Sequence, residues 1–90
     1  NITVQPGKYI EGHPGDDIHI RAEVTPEGTR FSIGMEELEY DKSRGIYDYI
    51  LDDDGYGVSL HLLKPGSGIL YMEAGAPASD SEMIYITVTE

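Results

Sequence analysis

Three adjacent aspartates, Asp52-Asp53-Asp54, followed by Gly55, form the densest group of chemistry-bearing side chains in the sequence. Carboxylate oxygens are the ligands a hard cation selects. Asp52, Asp53 and Asp54 are therefore the candidate metal residues, and Ca2+ is the candidate ion. The spacing points the other way. A helix–loop–helix calcium site sets its acids at alternate positions and adds a distal glutamate, and adjacent acids in a tight turn cannot all converge on one ion. Asp and Gly also tolerate positive φ, which is what a plain hairpin turn needs. A complete cation site would require Asp16, Asp17 or Asp80 to arrive from another loop at the same end of the molecule.

The other candidates are thinner. His13, His19 and His61 lack metal-ligand spacing, although His19 and His61 become neighbours if their strands pair. No serine sits in a nucleophile-elbow context, and no carboxylate pair has the apolar surroundings that general acid catalysis needs. Gly66-Ser67-Gly68 lacks the strand–loop–helix setting that cradles phosphate. No catalytic residue is expected, and the chain does not read as an enzyme. Seven tyrosines are the remaining anomaly. Tyr71 and Tyr85 fall on outward positions of adjacent expected strands, which makes them the candidate ligand-binding pair. Outward tyrosines stack on sugar faces or anchor a protein partner; they also pair across strands for stability alone, worth roughly 0.2–1 kcal/mol per pair.

The elements that must position these residues are strands. In Gly57 to Ala74, two alternating runs flank Lys64-Pro65-Gly66-Ser67-Gly68. Val58, Leu60 and Leu62 share one face, as do Leu70, Met72 and Ala74 beyond the turn. Alternation of period two gives each strand one face for a core. Further strands are expected at Ile2–Val4, Lys8–Glu11 (on the neighbouring sheet after a kink at Pro6-Gly7), Asp17–Val24, Thr29–Ile33, Ile46–Leu51 and Glu82–Thr89. Glu36–Tyr40 suits a strand or one helical turn; it is too short to hold a helix without caps, so a strand is expected there. Gly75–Ser81 reads as a loop between the last two strands. Seven to nine short antiparallel strands in 90 residues predict an all-β sandwich of two sheets.

Composition removes several classes of function. Seventeen acidic residues against six basic ones give a net charge of −11, which would repel nucleic acid. An anionic membrane surface is disfavoured for the same reason. No apolar run approaches the ~18 residues of a membrane-spanning helix, so no membrane insertion is expected. The acidity suits a cation-binding surface, a high-salt environment, or solubility in a crowded array. There is no cysteine, so neither disulfides nor thiol chemistry contribute. One domain over residues 1–90 is expected, as a module of a longer chain. Asn1-Ile2-Thr3 formally matches a glycosylation sequon.

Ile50-Leu51-Asp52-Asp53-Asp54-Gly55, then the strand from Val58, Lys64-Pro65-Gly66 and Ile69-Leu70-Tyr71-Met72, resemble the C-terminal half of group 2 bacterial immunoglobulin-like domains. Ile84 to Thr89 matches the final strand of that family. The likeness covers about the last forty-five residues; the first half shares only the rhythm of strands. The tryptophan usual in that family is missing. Fibronectin type III domains match Leu63-Lys64-Pro65-Gly66, but Ile69 stands where they carry tyrosine. Either resemblance implies an immunoglobulin-like sandwich, non-catalytic and repeated, in an extracellular or cell-surface microbial protein. Its implied role is structural or adhesive. The implied partners are neighbouring modules of the same chain, a glycan or a surface protein. The alternative is a ligand-binding module for calcium or carbohydrate.

Overall fold

The computed structural model describes all 90 residues, Asn1–Glu90. Eight strands and one helix follow in the order β1 (Ile2–Gln5), β2 (Tyr9–Gly12), β3 (Asp17–Val24), β4 (Phe31–Ile33), α1 (Met35–Ser43), β5 (Tyr47–Leu51), β6 (Gly57–Leu62), β7 (Gly66–Ala74) and β8 (Asp80–Val88). They form two four-stranded sheets, ordered β1-β3-β6-β5 and β2-β8-β7-β4. The expected two-sheet sandwich is what folds.

Alternation decides the inner faces. Val58, Leu60 and Leu62 of β6 face Leu70, Met72 and Ala74 of β7 across the core, joined by Ile20 and Ala22 of β3 and Ile84, Ile86 and Val88 of β8. Each fully buried aliphatic side chain contributes roughly 1.5–3 kcal/mol relative to exposure. β6 and β7 are consecutive yet belong to different sheets, so the Leu63-Lys64-Pro65 connection arches over the end of the sandwich. β7 begins earlier than expected. Gly66, Ser67 and Gly68 pair with Val88, Thr87 and Ile86, because β8 extends far enough to give them ladder partners.

Past Pro6-Gly7 the chain crosses sheets as expected. β1 runs antiparallel to β3, but β2 departs from the expected all-antiparallel pairing and runs parallel to β8, with Tyr9 opposite Tyr85, because the chain crosses between the sheets without reversing. The Ile2 N–H donates to Asp80 at the start of β8 at 3.0 Å, and the Thr89 N–H donates to the Gly12 carbonyl at the other end, at 2.9 Å. The two termini therefore lie at opposite poles of a body 40 Å long.

The expected strand at Glu36–Tyr40 is instead part of helix α1, Met35–Ser43. A helix of this length is marginal alone; tertiary contact supplies what it lacks. Leu38 and Asp41, three apart and so on one face, are both buried. Glu36 and Glu37 lie in the first turn and Lys42 in the last, the placement the helix dipole favours. Gly45, at φ 77°, ends the helix by taking a left-handed conformation that a side chain would disfavour.

The helix also takes the place of a strand. β4 pairs only with Ile33↔Met72 to Phe31↔Ala74, so the first half of β7 has no strand on that side. There α1 and the residues flanking it satisfy the open edge. Asp41 accepts from the Ile69 N–H at 3.1 Å, Arg44 donates to the Ser67 carbonyl at 3.1 Å, and the Gly34 N–H donates to the Tyr71 carbonyl at 2.7 Å. An edge covered in this way cannot recruit another strand.

Candidate functional site

The acidic turn joins β5 to β6. Asp52 accepts from the Gly57-side ladder's neighbour Arg21 at 2.7 Å and contacts His19 Nε2 at 2.8 Å. Asp54 takes the Arg21 guanidinium in a two-pronged contact at 3.0 and 2.7 Å, and also accepts from the Tyr56 N–H at 3.0 Å. Arg21 therefore lies where Asp52 and Asp54 converge. Its hydrogen bonds hold the Asp54 carboxyl down at about 2 and the Asp52 carboxyl below its usual range, with His19 assisting at Asp52. The two carboxylates in turn hold Arg21 firmly cationic. Asp53 is exposed and joins none of these contacts. No group of three or more His, Asp or Glu side chains converges in a metal-holding arrangement.

His19 and His61 lie on paired strands, but each engages a carboxylate in place of the other. His61 sits opposite both Asp17 and Asp48 and contacts Asp17 at 2.7 Å. The outer face of the first sheet thus carries Thr3, Asp17, His19, Arg21, Glu23 and Ser59, with Ile50 as its exposed aliphatic residue.

The outer face of the second sheet differs. Tyr85 lies between Tyr9 on β2 and Ile69 on β7, and Tyr71 lies opposite Met83. Tyr71 and Tyr85 therefore share a face as diagonal neighbours. The stacked pair, however, is Tyr9 with Tyr85, with ring centroids 5.6 Å apart and planes 13° from parallel. Tyr71 is half-buried, and its hydroxyl donates to Glu73 at 3.3 Å. Tyr9 is 77% exposed, and Ile69, Met83 and Tyr85 are each exposed by about two-fifths (37%, 42% and 42%). Tyr9 escapes sequence reasoning because its partner is a parallel strand at the far end of the chain. Its outward position on a short strand is the one available signal.

Helix α1 borders this face and turns it into a groove of about 390 Å³. Ile69 and Tyr85 form its floor, Tyr40 its wall, Glu37 lines it from the first turn of the helix and Arg44 from the C-terminal end. The wall is held from beneath. Asp41, 2% exposed, accepts from the Tyr47 hydroxyl at 2.7 Å and from the Ile69 N–H. Burial, reinforced by that bond to Asp41, raises the Tyr47 hydroxyl far above its usual range, so it remains a donor. Gly68 is required at this approach, since a Cβ there would collide with the Asp41 carboxylate. Arg44 stacks over Tyr40 at 5.3 Å. The arrangement holds apolar surface in a fixed shape and offers no nucleophile beside a base.

No protein-family model matches the chain, and no curated protein matches it in sequence. Among solved structures it is similar to the BIgI domain of beta protein from S. agalactiae, a structure in which that domain is bound to CEACAM1. The TM-score is 0.54 at 15% identity, over 99% of this chain and 95% of that one. At such identity the likeness shows the fold alone: an immunoglobulin-like β-sandwich.

Proposed function

We propose that this chain is a non-catalytic adhesive module of a cell-surface or secreted microbial protein, and that it recognises another protein through the outer face of the β2-β8-β7-β4 sheet. The observation that carries this reading is the row Tyr9, Tyr85, Ile69 with Tyr71 and Met83 beside it, contiguous and open on a chain otherwise strongly acidic. An open apolar face rimmed by polar residues is characteristic of interaction sites, and tyrosine is enriched at interface anchors. The fold likeness supports the reading, since the similar domain is one solved with a protein partner. Termini at opposite poles suit a module placed head to tail between others.

The test is adherence. Beads carrying the folded chain are applied to CEACAM1-bearing and CEACAM1-lacking epithelial cells. They are compared with beads carrying an Ile69→Asp, Tyr85→Asp double variant, and with Ile50→Asp on the opposite face. Adherence lost only in the double variant is the expected result. Equal adherence for all three would remove recognition from this face, and none for any would leave the module a passive spacer. Carbohydrate recognition would use the same tyrosines, and enzymatic removal of cell-surface glycans separates it from protein recognition.

A further inference from the structure

We infer that the groove between α1 and the β7–β8 face receives an apolar side chain from a partner whose surrounding surface carries lysine and arginine. This rests on the adhesive reading above and specifies the chemistry of the partner. The groove has an apolar floor, Ile69 and Tyr85, and an aromatic wall, Tyr40, so its central occupant must be apolar for desolvation to favour binding. Around it the charge is one-sided. Glu11 on β2, Glu37 on α1 and Glu73 on β7 take part in no ion pair. Two of the cations near the face are engaged, while Arg30, outward before β4 and beside Gly75, makes no ion pair. Lys8 pairs with Glu82 at 3.3 Å, and Arg44 is held by Asp41 and by the Ser67 carbonyl. Three unpaired glutamates against Arg30 leave the rim net acidic, on a chain of net charge −11. A partner with a like-charged rim would be repelled, and one with a basic rim steered in.

The opposite face makes the inference discriminating. It is acidic too, with Asp48, Glu23 and the His61-engaged Asp17, yet its apolar hollow beside Ile50, about 110 Å³, is far smaller than the groove of about 390 Å³. Charge alone would draw a basic partner to both faces; charge with an apolar centre draws it to one.

Two synthetic peptides serve as probes, both with Trp-Leu at the centre, one flanked by lysines and the other by glutamates. Each is titrated into the intact chain and followed by proton–nitrogen NMR. The lysine-flanked peptide is expected to give saturating shifts at Tyr9, Ile69, Tyr71 and Tyr85. Those shifts should weaken about tenfold or more in Ile69→Ser, as for loss of an interface anchor, and persist in Ile50→Ser, with both variants checked for native dispersion. The glutamate-flanked peptide is expected not to bind. If both peptides bind the face equally, the docking face stands and the basic rim is overturned. If neither binds, or if the lysine peptide shifts Asp17, Asp48 and His61 as strongly as Tyr85, the docking face itself is overturned.

Discussion

The outer face of the first sheet settles much of its charge internally. Arg21 bridges Asp52 and Asp54, His19 contacts Asp52, and His61 contacts Asp17. The outer face of the second sheet leaves its apolar groups open, with Tyr9, Ile69, Met83 and Tyr85 exposed and Tyr71 half-buried. Both sheets place equally apolar residues inward, so the folding requirement is the same for each. Only the outer positions were left free to differ. A face that keeps four large apolar side chains exposed to water is the one on which an interaction is to be sought.

The contrast is sharpest at Asp41, which lies beneath the second face and has no counterpart beneath the first. Asp41→Ala leaves the Tyr47 hydroxyl and the Ile69 N–H without their acceptor. Unsatisfied buried donors cost roughly 1–3 kcal/mol each, so a fall of roughly 2–5 kcal/mol in unfolding free energy is expected. The denaturation midpoint at unchanged slope measures it. Proton–nitrogen shifts should spread over α1, β7 and Tyr47 of β5, while Ser59 and His19 on the first outer face keep their native positions. Disturbance of both faces alike would remove the contrast.

Gly68→Ala tests the same joint from the other side. The added methyl meets the Asp41 carboxylate, and overpacking of this kind costs roughly 1–3 kcal/mol. Thermal unfolding reads it, and a neutral substitution would show that α1 is looser on β7 than its hydrogen bonds imply.

Tyr85→Ala should cost less stability than either. It removes a cross-strand pair worth roughly 0.2–1 kcal/mol, while abolishing the adherence assigned to its face. A large loss of stability with adherence retained would make Tyr9–Tyr85 a brace for the sheet.

On the first face the expected effects are titrations. The Asp54 carboxyl is held at about 2, below the ordinary ~3.9. Its lowered folded value means the Arg21 contact stabilises fully above ~3.9 and is lost as pH falls through that value toward about 2. Arg21→Gln should raise both Asp52 and Asp54 toward the ordinary range, short of it where His19 and the Tyr56 N–H still bond them, read by carbon-13 NMR of the carboxyls. Calcium near ~1 mM, the affinity range of extracellular modules, is expected to leave Asp52–Gly55 without localised shifts, because Arg21 fills the convergence point. Saturating shifts there would show that Arg21 yields to the ion, and would give the first face a ligand of its own.

Much of this was legible in one dimension. Alternation at Val58, Leu60 and Leu62, and again at Ile84, Ile86 and Val88, announced strands and their inward sides, because the period of a strand is set by its own backbone. The outward positions of Tyr71 and Tyr85 followed from the same count. Asp52-Asp53-Asp54 was visible as a cluster, but the cation that meets two of its members, Arg21, comes from β3 through a register no local pattern encodes. Glu36 to Tyr40 misled for a related reason. Its propensity for helix is real but too weak alone, and Leu38 in the core and Asp41 on the edge of β7 decide the outcome.

The sequence by itself determined an acidic, mainly β domain, most of its strands, and which side chains those strands turn inward, because these depend on composition and on a repeat of two residues. Tertiary structure alone decided that Tyr9 meets Tyr85, that α1 replaces a strand beside β7, and that a groove lies between them. Those contacts join segments distant in the chain, and their geometry follows from which strands share a sheet.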